Sequence, residues 1–291
     1  MSAPSRSATI LVVGDVHRHW RTADRTFLEN GDQDLVAFVG DLGDEDVELV
    51  QEVSAIAAEK AVILGNHDAW QSFSRRRPTG KLRQSLEALD RDHIAYAVRE
   101  IPNAGISMIG ARPFSWGGPS LRSPELYDRL YGITDMTSSA DKIYEAARCA
   151  QHRDLVLLAH NGPSGLSRAP QDIYGKDFGR AGGDWGDPDL ELAIQRIERS
   201  GWRVPCVIAG HMHHRLLSPR GALRTRFLMR GSTLYVNPAI VPRIRPMADG
   251  ETVAHFVRMV WCEGSLDRVD EIWVDAHGDV REAHEARVTE V

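Results

Sequence analysis

An α/β fold with a largely parallel sheet is the class this sequence predicts. Three observations lead there. Short apolar runs alternate with amphipathic stretches from the N-terminus onward. Five of those runs end in clusters of Asp, His and Asn. The 291 residues, 42% hydrophobic and 26% charged, suffice for a sizeable core and exclude disordered, collagen-like and coiled-coil classes.

Residues Ile10–Val13 are four consecutive apolar residues, too short for a helix, and read as a buried strand. Leu35–Val39 and Ala61–Leu64 read the same way. Between them lie amphipathic stretches at Trp20–Asn30 and Glu45–Glu59, where Val47, Val50 and Ala57 recur at helical spacing. This β-α-β-α-β rhythm implies parallel neighbours with helices on the sheet faces. Further strands are expected at Ile106–Ile109, Leu155–Leu158, Val207–Ala209, Leu234–Val236, His255–Trp261 and Ile272–Val274. Helices are expected at Gly80–Arg91, Pro124–Tyr131, Ser139–Arg153 and Pro188–Arg199. The last three strands have no helix between them, which predicts an antiparallel portion closing the sheet system.

No internal repeat or low-complexity linker interrupts the chain. A single domain over residues 8–291 is expected, after a short disordered segment at residues 1–7. Asn161–Gly186 stands apart, with seven glycines plus Pro163 and Pro170 between a strand and a helix. A connection of this length is either a mobile surface loop or one packed over an active site.

The charge balance of 35 basic and 41 acidic residues gives −6, which argues against a nucleic-acid binder. Of the basic residues 31 are Arg and four are Lys, a skew that reads as genome composition. Cys149, Cys206 and Cys262 are odd in number and widely spaced, so no disulfide framework or Cys-type zinc site is indicated. No run of 18 apolar residues is present to span a membrane, and the first nine residues lack the apolar run of a secretory signal. A cytoplasmic protein with reduced thiols is the expectation.

The chemistry sits where strands end. The five apolar runs are followed by Gly14-Asp15-Val16-His17, Gly40-Asp41-Leu42-Gly43-Asp44, Gly65-Asn66-His67-Asp68, His160-Asn161-Gly162 and Gly210-His211-Met212-His213. Open α/β sheets bind ligands outside the carboxyl ends of their strands. Carboxylates mixed with imidazoles suit Mn, Fe or Zn, whereas an all-oxygen set would suit Ca or Mg. The donors suffice for two ions, and a carboxylate between two cations can bridge them. Any one motif is also what a turn aspartate or a core histidine produces. All five in order after apolar strands are not accounted for that way.

With these motifs, the sequence resembles the calcineurin-like metallophosphoesterase superfamily over about residues 10–215. Finer features resemble its DevT-like branch of cyanobacteria and plants. These are Trp20 after the first motif, Ala69-Trp70 after the third, Arg112-Pro113-Phe114-Ser115-Trp116-Gly117-Gly118, His160-Asn161-Gly162-Pro163-Ser164-Gly165 and Ala169-Pro170-Gln171-Asp172. The resemblance implies a four-layer α/β/β/α sandwich with two mixed sheets. It implies that Asp15, His17 and His213 hold a first divalent metal, that Asn66, His160 and His211 hold a second, and that Asp41 bridges them. Manganese is favoured, with Fe, Zn and Ni as alternatives. His67 would protonate the leaving oxygen or stabilise the phosphoryl group, with Asp44 or Asp68 orienting its ring.

One departure matters. Protein serine/threonine phosphatases of the calcineurin type carry Arg-Gly after the second aspartate of the second motif, where this chain has Glu45-Asp46. They also carry Glu where this chain has Asp68. A phosphate-gripping arginine must then come from elsewhere. Arg112, just past the strand Ile106–Ile109, is the candidate, the alternative being a structural pairing with an acid. Arg75-Arg76-Arg77 reads as a solvated loop. Seven arginines and no acid from Arg215 to Arg245 read as a solvated surface or as a docking face for an acidic partner.

Three functions follow in order of fit. The first is a dinuclear phosphomonoesterase, with phosphoserine and phosphothreonine in proteins among its expected substrates. The second is a phosphodiesterase acting on cyclic nucleotides or nucleic acid, against which the acidic balance weighs for long polyanions. The third is a scaffold that keeps the fold without catalysis, against which the retention of all seven ligand residues and His67 argues.

Overall fold

The alternation within the first strand explains the architecture. In β1 (Ser7–Val13), Ile10 and Val12 join one core cluster while Leu11 and Val13 join another, and all four are buried. A strand with apolar residues on both faces needs a covering layer on each side. The computed structural model describes residues 7–290. Residues 1–6 of the expected disordered segment lie outside the described residues, and Ser7 opens β1.

The elements follow in chain order: α1 (Thr22–Asn30), β2 (Leu35–Phe38), α2 (Val47–Ser54), β3 (Lys60–Val62), α3 (Trp70–Arg75), α4 (Gly80–Leu89), β4 (Val98–Ile101) and β5 (Ile106–Gly110). Then come α5 (Pro124–Tyr131), α6 (Met136–Arg148), β6 (Asp154–Ala159), α7 (Pro188–Arg199), β7 (Arg203–Ala209), β8 (Phe227–Arg230) and β9 (Thr233–Val236). The chain closes with β10 (Ile244–Pro246), β11 (Thr252–Cys262), β12 (Ser265–Val274), β13 (Val280–Glu285) and β14 (Thr289–Glu290).

Two mixed sheets form. The first runs β13-β12-β11-β1-β2-β3, with β10 on β11; β1, β2 and β3 are parallel. The second runs β14-β8-β9-β7-β6-β5-β4, with β5, β6, β7 and β9 parallel. Ile10, Val12, Ala37 and Ala61 of the first sheet share a core with Met108, Val156, Leu158 and Ile208 of the second. Leu28 of α1, Val50 and Val53 of α2 and Leu82 of α4 cover the outer face of the first. Ala140 and Ile143 of α6 and Leu190, Ala193 and Ile197 of α7 cover the outer face of the second. The order of layers is therefore α/β/β/α.

The closing strands split between the sheets. β11 and β12 pair antiparallel on the first sheet, as expected. β9 instead lies parallel to β7 in the second and takes β8 as its antiparallel neighbour.

Four of the seven arginines from Arg215 to Arg245 are committed to acids inside the fold, while Arg215, Arg220 and Arg230 are exposed. Arg224 is buried, with its guanidinium on the carbonyls of Pro170, Asp172, Gly175 and His213. Arg243 is buried against Asp24 at 2.7 Å, Arg226 pairs with Glu271, and Arg245 pairs with Glu282. Folding brings acids from distant sequence to Arg226, Arg243 and Arg245, so the positive charge of these three is neutralised.

A second buried ionic node ties the two halves of the second sheet's helical layer. Arg112 follows β5 and contacts Asp189 at 2.7 Å and Asp187 at 2.9 Å, both at the start of α7. Ser115 donates to Asp187 at 2.7 Å, and Ser139 of α6 donates to Asp189. Burial raises the Asp187 carboxyl to about 6, and the neighbouring Asp189 adds to this against the pull of Arg112. Removing the cation strands two buried carboxylates. Arg112→Met is expected to lower stability by about 3–5 kcal/mol in urea denaturation, and a loss under about 1 kcal/mol would show the node to be dispensable.

His255 of β11 is also buried, with Nε2 3.0 Å from Glu271. Burial pushes its imidazole down to about 4 despite that carboxylate, whereas an unfolded histidine titrates near about 6.5. The unfolded chain therefore takes up this proton first as pH falls. Stability present above about pH 6.5 drains toward pH 4. The urea midpoint is expected to drop between pH 7 and 5, and to drop less in His255→Gln.

Candidate metal centre

Every strand-end motif meets at one edge. Asp15 and His17 follow β1, Asp41 and Asp44 follow β2, and Asn66, His67 and Asp68 follow β3, all from the first sheet. His160 follows β6, and His211 and His213 follow β7, from the second. The C-terminal ends of parallel strands from both sheets therefore face each other across a narrow gap. Glycines permit the approach. A Cβ on Gly65 would lie 2.2 Å from Asp41 Oδ1 and 2.5 Å from His160, and one on Gly210 would lie 2.1 Å from Asp15 Oδ1.

The donors fall into overlapping groups. Asp15, His17 and His213 form one, Asp41, His160 and His211 another, and His17, Asp41 and His67 a third; within each, one ligand atom per residue lies within 4.8 Å of the others. Asp41 is the link: Oδ2 is 3.5 Å from His17 Nε2 and Oδ1 is 3.4 Å from His160 Nε2. Asn66 Oδ1 is 2.8 Å from His160 Nε2.

The donor chemistry fits cations. Nδ1 of His160 lies 2.7 Å from the Val39 carbonyl, which places the proton there and turns the Nε2 lone pair toward Asn66 and Asp41. His17 Nε2 and His213 Nε2 face each other at 3.1 Å. Acceptor atoms converging in this way need a positive charge among them. The protein alone meets part of that need by protonation. Burial lowers the His160 and His213 pKa values, but Asp41 and Asp15 respectively outweigh it and raise both. Burial dominates at His211 and His17, which are lowered. Burial also works against ionisation of Asp15, yet the hydrogen bond from His213 and the surrounding imidazoles hold its carboxyl well below the usual range.

Backbone strain collects here as well. His17, Asp41 and His211 have φ of 44°, 48° and 66°. This left-handed region costs non-glycine residues about 1–3 kcal/mol each and persists where the surroundings hold it.

His67 stands beside this cluster, partly open to solvent, with Nδ1 2.6 Å from Asp44 Oδ1. Of the two acids expected to orient it, the structure brings Asp44 to the ring. Asp68 instead accepts from the backbone N–H of Gly43 at 3.0 Å and of Gly65 at 2.8 Å, stitching the second motif to the third. Burial, then the charge of Asp41, raises its carboxyl to about 7.

Arg112 is the correction. Its guanidinium is 3% exposed and committed to Asp187 and Asp189, so it does not reach the donor cluster's opening. The strand end delivers it to the helical layer, and the acids of α7 hold it there. Glu45, at the position of the phosphatases' arginine, is buried and accepts from Ser72 N–H at 2.7 Å and Thr79 Oγ1 at 2.8 Å.

The loop 161–186 packs over the site. Its Asp177, Phe178 and Trp185 line a cavity of about 600 Å³ together with Asn66, His67 and His213. Trp70, Trp116 and Arg122 also line it. Sequence reasoning placed Trp70 and Trp116 inside motifs but gave neither a role. No periodic pattern marks side chains that come together from separate loops.

Known proteins were compared with this chain. The profile of the calcineurin-like phosphoesterase family matches residues 8–215. No curated protein matches the sequence. One solved structure, 10% identical, aligns with a TM-score of 0.53 over 96% of this chain and 99% of its own. TT1561 of Thermus thermophilus is 11% identical, with a TM-score of 0.47 over 96% of this chain and 99% of its own. A Vps29 single mutant from Entamoeba histolytica is 15% identical, with a TM-score of 0.41 over 96% and 99%. Among the described residues, no helix is long and apolar enough to cross a membrane. With the family profile covering more than half its length and the donor cluster assembled at the strand ends, the chain belongs to the calcineurin-like phosphoesterase family, metal-dependent hydrolases of phosphoester bonds.

Proposed function

We propose that this protein is a dinuclear phosphomonoesterase in which Asp15, His17 and His213 hold one divalent ion, Asn66, His160 and His211 hold the other, and Asp41 lies between them. The observation that carries the reading is the placement of Asp41, whose two oxygens each face an imidazole of a different donor group. Two ions in such a site supply Lewis acidity toward the phosphoryl oxygens and lower the pKa of water. Mixed imidazole and carboxylate donors suit manganese, iron or zinc, and the resemblance to the DevT-like branch favours manganese, with nickel a further alternative. The motif strings around Trp70, Trp116 and His160 support a place in the DevT-like branch.

The chain's own residues handle the proton. Asp44 fixes the His67 ring through Nδ1, so Nε2 is the nitrogen free to exchange a proton with the leaving oxygen. His67 is partly exposed, so that proton is replaced from solvent after each turnover. The phosphodiesterase reading shares every one of these groups. The placement of His67 and Asp44 beside the donor cluster supports a catalytic reading over a scaffold of the same fold.

A hydrolysis panel with defined metals tests the reading. Stripped protein is reloaded with Mn, Fe, Zn, Ni or Mg and given p-nitrophenyl phosphate, bis-p-nitrophenyl phosphate, a phosphothreonine peptide and cyclic AMP. Monoester turnover that depends on manganese is expected. It should fall by about 10²–10⁴ in His67→Ala and by about 10–100-fold in Asp44→Asn. Asp41→Asn is expected to lose bound metal as well as turnover. Diester turnover alone would favour the phosphodiesterase, and metal binding without any turnover would contradict both.

A further inference from the structure

The cavity beside the donor cluster has walls that hydrolysis itself does not require. Trp70 and Trp116 pack with ring centroids 5.1 Å apart, and Trp70 lies 4.9 Å from the His67 ring. Phe178 and Trp185 form a second pair at 5.1 Å, edge to face. Trp185 Nε1 donates to the Trp116 carbonyl at 2.9 Å and joins the two pairs. Gly117 has φ of 67°, and a Cβ there would meet Trp185 at 2.5 Å, so glycine lets the loop close on this segment.

Trp70 and Phe178 are left open to solvent, with the Lys176 ammonium 5.4 Å from the Phe178 ring centroid and 4.8 Å from that of Trp185. Six large hydrophobic side chains are exposed among the described residues, and three of them, Trp70, Phe178 and Leu217, line this cavity. Trp70 and Phe178 are 44% and 37% exposed. Exposed apolar surface gathered at a concave site marks a ligand groove. About 600 Å³ falls within the range of about 300–1,000 Å³ for small-molecule sites.

Two cations complete the wall. Arg122 lies 3.9 Å from the Trp116 ring centroid, and Arg215 also faces the cavity. Asp177, the carboxylate among the lining residues, pairs with Arg224 at 3.4 Å and accepts from Leu217 N–H at 2.8 Å. Arg122 and Arg215 therefore keep their donors for a ligand. Aromatic faces next to guanidinium donors suit a flat ring with nitrogen and oxygen acceptors at its edge. A phosphoserine side chain offers no ring to cover these faces.

We propose that the cavity holds the base of a nucleoside phosphoester, stacked on the Trp70–Phe178 walls with its edge toward Arg122 and Arg215, while its phosphate reaches the donor cluster around Asp41. The inference rests on the phosphoesterase reading above and narrows its substrate. In the step, a water oxygen bonds to phosphorus, the bond from phosphorus to the ribose oxygen breaks, and that oxygen takes a proton to leave as the nucleoside.

Two arms test it. In the first, manganese-loaded protein hydrolyses GMP, phenyl phosphate and glycerol 2-phosphate. GMP is expected to exceed glycerol 2-phosphate at least tenfold in kcat/KM. Phe178→Ala should cut that ratio fivefold or more, the low end of stacking at about 1–3 kcal/mol per base, and Arg122→Gln should reduce GMP relative to phenyl phosphate. In the second arm, guanosine alone is titrated calorimetrically, and Phe178→Ala is expected to weaken its binding by a similar factor. Equal kcat/KM for GMP and glycerol 2-phosphate, or no guanosine binding, would overturn the proposal. Turnover of phenyl phosphate above GMP, unchanged by Arg122→Gln, would overturn the base assignment. If no substrate turns over, the phosphoesterase reading fails, and guanosine binding that Phe178→Ala weakens would still sustain the cavity's assignment.

Discussion

The Asp41 carboxylate is the constraint on which the rest depends. It is 1% exposed and sits at the end of β2, where one oxygen meets an imidazole from the first sheet and the other meets one from the second. It also accepts the backbone N–H of His67 at 2.9 Å, which fixes the start of the third motif. A buried carboxylate is costly without positive partners; the neighbouring imidazoles supply part of that charge, and the donor clusters could hold metal ions that supply the rest. The two sheets must therefore stop at a fixed separation. The shared apolar core sets that separation, and Gly65 and Gly210 remove the atoms that would prevent it.

The donor groups and the cavity walls stand on different parts of the molecule. The donor groups stand on strand ends, which the inter-sheet core holds rigid. The cavity walls come from loops: Trp116 and Arg122 before α5, Phe178 and Trp185 before α7, and Leu217 after β7. Arg224 and the Arg112 node hold those loops through buried guanidinium contacts. The loop 161–186 is thus anchored by charge at its carbonyls and at the start of α7, and its Phe178 stays open at the cavity.

The layered α/β/β/α architecture and the gathering of the strand-end residues at one edge were both legible in the sequence. Asp15, His17, Asp41, Asn66, His67, His160, His211 and His213 each follow an apolar run or lie within four residues of its end, so strand-end logic gathered them at one edge without any knowledge of pairing, and the resemblance supplied their expected roles. The edge strands escaped. β4 is half-buried and β13 is mostly exposed, so neither carries an apolar run. Sheet edges are kept polar for this reason. α3 spans six residues, too few for a period to register. The burial of Arg112 and the pairing of Arg226, Arg243 and Arg245 were not legible because their partners, Asp187, Asp189, Glu271, Asp24 and Glu282, are remote in sequence. Local charge counting does not see a counter-ion that folding delivers.

The most direct test of the account is anomalous diffraction from crystals grown with manganese, since it reads the centre independently of any substrate. Two peaks about 3.5–4 Å apart, flanking the Asp41 carboxylate, are the expected result. One of them should contact His17 and His213, and the other His160 and His211. A single peak, or a pair that leaves Asp41 unliganded, would contradict a centre built around that carboxylate.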